Sequence, residues 1–216
     1  MDRAIDHRII ELLSSHLCHE LISPVTAVNN GLELVAEGDA ELVAEAMGLM
    51  RQSAAEASRR LQFYRLAYGQ AAGFEAARGL VQARELSEGL LRGGKIALSW
   101  SEQVVGPGAV DKPSIKLLVN MIALAREALP RGGAINVMLG GPPPVRAEVA
   151  AVGPGARLSA GNQAAMADDV DFGSLTPRTV QAFLVAWLAR QYGAGLGVDS
   201  GASDRVTIKA QLKSGA

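Results

Sequence analysis

The chain holds a single cysteine, Cys18. One thiol excludes an internal disulfide framework and a cysteine-based zinc site. An excess of charge of one sign is also missing: 21 Lys and Arg face 22 Asp and Glu, for a net charge of −1. A polyanion binder usually carries a basic excess, so nucleic acid is not an expected partner. No apolar run approaches the roughly 18 residues of a membrane span. The first ten residues, MDRAIDHRII, carry charges where a signal peptide needs an apolar stretch. Aromatic residues make up only 4% of the 216 positions, yet 49% are apolar, which suits a folded core. The expectation is a soluble, cytoplasmic protein of one large domain or two small ones.

Proline and glycine are unevenly spread, and they divide the chain. Residues 1–72 hold one proline, Pro24, and 6 basic against 10 acidic residues, or −4. Residues 73–216 hold the other prolines and most glycines, with 15 basic against 12 acidic residues, or +3. The run Gly69 to Gly73 (GQAAG) marks the joint. In the first part, Leu17, Leu21, Val25, Val28, Leu32 and Val35 recur at spacings of 3 and 4, as do Val43, Met47, Met50, Ala54, Ala57, Leu61 and Tyr64. Both stripes predict helices of about 30 residues and about 45 Å. Gly38 suits the C-cap of the first and Asp39 the N-cap of the second. A lone hairpin of this kind cannot cover its own apolar stripe, which predicts a homodimeric four-helix bundle. Met47 and Met50 are then core packing rather than a cofactor box.

In the second part the pattern predicts helices at 79–92, 113–129 and 177–192 and strands at 95–100, 134–139, 145–152, 195–199 and 205–212. The fold class is α+β, a mostly antiparallel sheet with helices on one face. Gly89 to Lys95 (GLLRGGK) fits Gly-x4-Gly-Lys, but a phosphate loop needs Ser or Thr next, and Ile96 stands there. The segment also closes a helix and opens a strand, the reverse of the required order. Asp168, Asp169 and Asp171 form a short acidic run in a loop, which reads as solvated rather than cation-binding.

Of the three histidines, His7 falls near a terminus and has no chemical neighbours. His19 lies two residues past Leu17, off the apolar stripe, and should face solvent. By helical spacing it shares a face with His16, Ser23, Thr26 and Asn30, a face that is small and polar beyond His19. Ile22 beside it offers an apolar contact. A neutral imidazole is a competent nucleophile near neutral pH. Glu20 could orient the ring or accept its proton. Pro24 lacks a backbone donor and should kink the helix there.

These residues carry a resemblance. His19-Glu20-Leu21-Ile22-Ser23-Pro24 resembles the H-box of sensor histidine kinases, in which the His is the phosphoacceptor. The longer block Leu17 to Leu34 (LCHELISPVTAVNNGLEL) is similar to the ChpT-type histidine phosphotransferases of bacterial cell-cycle phosphorelays. The second part resembles the ATP-binding (Bergerat) domain of those kinases. Lys116 to Leu129 occupies the place of the N-box helix, and Asn120 matches its first Asn. The second, which would hold magnesium, falls on Leu124, whose side chain has no lone pair to offer. The adenine-reading Asp falls on Ala151, which cannot accept a hydrogen bond. A glycine-rich lid is lacking between Gly155 and Pro177, where Gly173 to Thr176 stands instead. Gln191 to Gly195 resembles the turn before the last two strands.

The resemblance implies a phosphorelay intermediate. His19 would take a phosphoryl group from the receiver domain of a hybrid kinase and pass it to the Asp of a response regulator. His16, Ile22, Ser23, Thr26 and Asn30 would form the docking face. It implies no cofactor or metal bound by this chain, magnesium being supplied by the receiver, and a degenerate domain acting as a structural and docking element. An ATP-dependent sensor-type kinase and a non-catalytic, receiver-binding dimeric scaffold are the alternatives.

Overall fold

A computed structural model describes residues 7–38, 40–69, 78–103, 109–142 and 144–214. The two N-terminal helices form as the stripes require: α1 (His7–Glu37) and α2 (Ala40–Tyr68) pair as a hairpin. Gly38 takes φ +82° at the end of α1, a conformation that costs glycine little. Asp39, the expected N-cap, and all of the expected joint except Gly69 lie outside the described residues. The helices approach closely at Gly31, where an added Cβ would collide with Met50 Cγ. Met50 therefore packs within its own hairpin, whereas Met47 is 47% exposed and is not core in the single chain. Tyr64 also leaves the expected stripe. It is buried, edge-on to His16 at a ring separation of 5.9 Å.

The second part is a five-stranded sheet with helices on one face. The strands are β1 (Ile96–Gln103), β2 (Gly133–Gly140), β3 (Val145–Val152), β4 (Gly197–Asp199) and β5 (Arg205–Leu212), ordered β1-β2-β3-β5-β4. β1 and β2 run parallel and the other pairs antiparallel. The helices are α3 (Gly79–Leu91), α4 (Lys112–Glu127), the short α5 (Ala160–Ala165) and α6 (Val180–Tyr192). α4 starts cleanly: Asp111 accepts from the Ser114 N–H at 2.8 Å, and Pro113 sits where no intrahelical donor is needed. It is buried nearly all round, with Leu117, Leu118, Val119, Met121, Ile122 and Leu124 at zero exposure, and forms the centre of the core.

The stretch between Gly155 and Pro177 carries α5 and a 3-10 turn at Phe172–Ser174, neither expected from the sequence. Leu158, Ala165 and Leu175 pack it onto the core. Asp171 caps the Gly173 N–H at 2.9 Å, and Asp168 pairs with Arg190 at 2.6 Å, so two of the three acidic-run residues serve local structure. α6 begins at Val180, three residues later than expected, because Thr179 Oγ1 accepts from the Thr176 N–H and holds a turn there.

Helix α4 also locks the hairpin to the sandwich. Asn120 Nδ2 donates to Ala67 O at 2.9 Å, and Lys116 Nζ donates to Tyr68 O and Gly69 O at 3.3 and 3.1 Å. The last carbonyls of α2, which have no intrahelical donors, are thereby satisfied. Gln181 Nε2 donates to Asn120 Oδ1 at 3.0 Å, and the Tyr68 hydroxyl donates to Gln181 Oε1 at 2.6 Å. At the same open end of the hairpin, Arg8 at the start of α1 donates to the carbonyls of Phe172, Gly173 and Leu175.

Candidate functional site

His19 is exposed on α1, as its position off the stripe requires. Ile22, Ser23, Thr26 and Asn30 are exposed along the same side, Ile22 at 64%. This open face adjoins a cleft of about 770 Å³ whose far wall is made by segments 159–162 and 176–178 of the sandwich.

His16 is not on that open face, where the docking reading expects it, but is set into the wall of the cleft beside His19. It is only 9% exposed, packed between Tyr64 and Tyr68. Its Nδ1 donates to Pro177 O at 3.1 Å, which fixes the tautomer and leaves Nε2 as the acceptor. Nε2 lies 3.7 Å from Glu127 Oε1, beyond hydrogen-bond length. Burial lowers the pKa of His16 and pushes that of Glu127 up to about 8. A neutral acid therefore faces a neutral base at neutral pH, which avoids two isolated charges in a desolvated site. The turn geometry explains the error: α1 turns its His16 side into the domain junction, one turn before His19 emerges.

Glu20 is also placed differently from the expectation. Arg126 Nη1 donates to its Oε2 at 2.8 Å, and Arg60 Nη1 lies 3.4 Å from the same oxygen. Among the described residues no hydrogen bond joins Glu20 to His19. The carboxylate instead ties α1 to α2 and to α4. Arg60 is held in turn by Glu56 Oε1 at 2.5 Å. Its Nη1 also donates to the Glu20 main-chain oxygen at 2.5 Å. That oxygen would ordinarily accept from residue 24, but Pro24 has no N–H. α1 remains one helix through Pro24, and the imino acid is buried rather than marking a break. Its vacancy is filled by Arg60, so the residue after His19 is fixed by both backbone and side chain.

Sequence reasoning missed Arg60, Arg126 and Glu127. One signal was available: a proline inside a helix orphans the carbonyl four residues earlier, which demands an outside donor. Periodicity holds nothing that points to Arg60 as that donor. The N-box resemblance is likewise altered by its surroundings. Asn120 matches a kinase Asn, yet its amide is spent on Ala67 O and Gln181. Leu124 and Ala151 are fully buried aliphatic side chains. These residues do not fit a magnesium–nucleotide site.

A histidine on an antiparallel helical hairpin, joined to a sheet with helices on one face, defines the histidine-kinase-like class of fold. Its sandwich agrees: a nucleotide-free catalytic domain of the histidine kinase ThkA matches 65% of this chain and 94% of that one, at 16% identity and a TM-score of 0.50. A solved bacterial phosphotransferase matches far more closely, over 96% of this chain and 98% of that one, at 30% identity and a TM-score of 0.79. Residues 80–204 match the family model of the histidine phosphotransferase C-terminal domain. The protein phosphotransferase ChpT of Brucella abortus (strain 2308) is 42% identical over 132 residues, which is 60% of each protein's length. The chain belongs to this histidine phosphotransferase family. No helix among the described residues is long and apolar enough to cross a membrane.

Proposed function

We propose that the chain is a phosphorelay intermediate in which His19 carries the phosphoryl group between receiver domains. The observation that carries this reading is the exposed His19 on a rigid helix, with the small residues Ser23 and Thr26 and the apolar Ile22 on the same open side. A receiver's aspartyl phosphate can approach such an imidazole in line. A ring nitrogen attacks phosphorus, the phosphorus–oxygen bond to the Asp breaks, and the carboxylate leaves. The second transfer reverses these steps onto the Asp of a response regulator. Catalysis of this kind is mainly positioning and charge stabilisation. The receiver supplies magnesium and carboxylate; this chain supplies the nucleophile and its orientation. Glu20, engaged by two arginines, acts as a positioning residue: as a base it would first have to leave Arg126.

The chain works as a homodimer. Val25, Leu32, Met47 and Leu61 are 48, 55, 47 and 49% exposed on the single hairpin, an apolar surface that a second hairpin would cover. ATP is not its phosphate donor. The side chains at Leu124 and Ala151 support that reading, as does the packed segment where a mobile lid would stand.

A two-arm labelling experiment tests the proposal. The purified chain is incubated with labelled ATP and magnesium, and separately with a receiver already phosphorylated by its kinase. Label arriving from the receiver alone, and lost in His19→Ala, is the expected result. Label from ATP alone would replace the relay with a kinase. Receiver binding without label in either arm would replace it with a scaffold.

A further inference from the structure

The segment Gly89 to Lys95, which fails as a nucleotide loop, closes one side of a cleft between the hairpin and the sandwich. This cleft has a volume of about 260 Å³ and lies apart from the open face of His19. Arg59 and Arg60 line it from α2, Arg92 and Lys95 from the turn after α3, and Arg126 from α4. Among the described residues Glu56 is the one carboxylate on its wall. Five cations around so small a space repel one another unless anions intervene. The anions present offset only part of this charge. Glu56 pairs with Arg60, and Glu20 pairs with Arg60 and Arg126. Arg59, Arg92 and Lys95 have no carboxylate partner among the described residues. Arg59 donates its Nε to Gly89 O at 3.2 Å, which aims its guanidinium at the turn. The Arg60 Nε is buried with no hydrogen-bond partner among the described residues, a donor left over after the pairing with Glu56 and Glu20.

We infer that this cleft is an anion site for a small diphosphate- or triphosphate-bearing molecule. Planar guanidinium forks match phosphoryl oxygens, and the ammonium of Lys95 adds a movable point charge. A carboxylate ligand would satisfy fewer of the donors. Two or more linked phosphoryl groups offer enough oxygens to engage cations from both α2 and the Arg92–Lys95 turn. The site is separate from the nucleotide position of the kinase sandwich, which Leu124 and Ala151 deny. It also stands whether or not His19 relays phosphate. Arg60 and Arg126 join the two places, because the same guanidinium groups that line the cleft hold Glu20.

The test is calorimetric titration of the full chain, without magnesium, with inorganic pyrophosphate, with ADP and with sulfate. The variant is Arg92→Gln with Lys95→Gln, both exposed positions outside the clamp on Glu20. Pyrophosphate is expected to bind saturably, and at least tenfold more weakly to the variant. Equal binding of ADP and pyrophosphate assigns recognition to the phosphates; tighter ADP, still weakened in the variant, adds a nucleoside contact to the same site. Sulfate binding as well as pyrophosphate would overturn the inference in favour of diffuse electrostatics. So would no pyrophosphate binding, or ADP binding that ignores the variant.

Discussion

The guanidinium of Arg60 stands in for a missing peptide hydrogen: it donates to the Glu20 carbonyl that Pro24 leaves without its helical partner, at 2.5 Å. The two residues are 40 positions apart, so the bond stitches α2 to the turn of α1 that carries His19. Arg60→Met is expected to cost roughly 1–3 kcal/mol, because the Glu20 carbonyl and the carboxylates of Glu20 and Glu56 lose a charged donor. Pro24→Ala restores the N–H at residue 24. In that background Arg60→Met should cost about 1 kcal/mol less, a coupling of the size seen for shared partners. Urea denaturation of the four proteins measures it; additive effects would mean that Arg60 does not replace the absent donor.

Glu127 makes stability fall with rising pH. Its pKa, ordinarily 4.5, is pushed up to about 8 by burial, with Arg126 opposing and Glu20 assisting. The folded state therefore holds a proton that the unfolded state releases. That contribution is complete below pH 4.5 and is lost as the pH rises through 8. His16 has the opposite dependence. Its lowered pKa penalises the fold below its ordinary value of 6.5. Between pH 6.5 and 8 only Glu127 of this pair acts, so the wild type should lose up to about 1.4 kcal/mol per pH unit. Glu127→Gln should be nearly flat over that window. Denaturant melts at half-unit steps in pH decide it; equal slopes would place the titrating group elsewhere.

Most of the fold was legible because its signals are local. The 3–4 spacing of Leu17 to Val35 gave α1, and the pattern over Val145 to Val152 gave β3. The six-residue α5 escaped because it is shorter than two full turns and has no periodicity to read. The site divided in the same way. His19 could be placed by its offset from an apolar stripe. His16 could not, since both of its possible surroundings, solvent and the domain junction, satisfy the same spacing. Arg60, Arg126 and Glu127 meet Glu20 and His16 only through tertiary packing, and no pattern along the chain encodes that meeting.

Dimerisation should be tested at Met47 and Leu61 rather than at Met50. Met50 lies against Gly31 of its own chain, so a charge there damages the hairpin itself. Met47→Glu and Leu61→Glu put charges on side chains that are 47 and 49% exposed and make little internal contact to lose. Each should leave helicity intact and convert the dimer to a monomer at micromolar concentration, since burying an unpaired carboxylate costs several kcal/mol or forces its protonation. Light scattering after size exclusion gives the mass. Two variants that both remain dimeric would remove these residues from the interface.

The small face beside His19 makes a steric claim that differs from the chemical one. Thr26 is exposed about two helical turns beyond His19, on the side that carries Ser23 and Asn30. Thr26→Trp adds an indole where a receiver must settle and removes no group that the chemistry uses. Stability should change by less than about 0.5 kcal/mol, as for other exposed positions. Transfer from a phosphorylated receiver should fall at least tenfold at low receiver concentration, as docking weakens, and recover as the receiver is raised. His19→Ala should behave oppositely, binding receivers normally and accepting no label at any concentration. Rapid-quench transfer assays across a range of receiver concentrations separate the two patterns. A Thr26→Trp protein that transfers at the wild-type rate would show that receivers approach His19 from another side, past the cleft wall at 159–162 and 176–178.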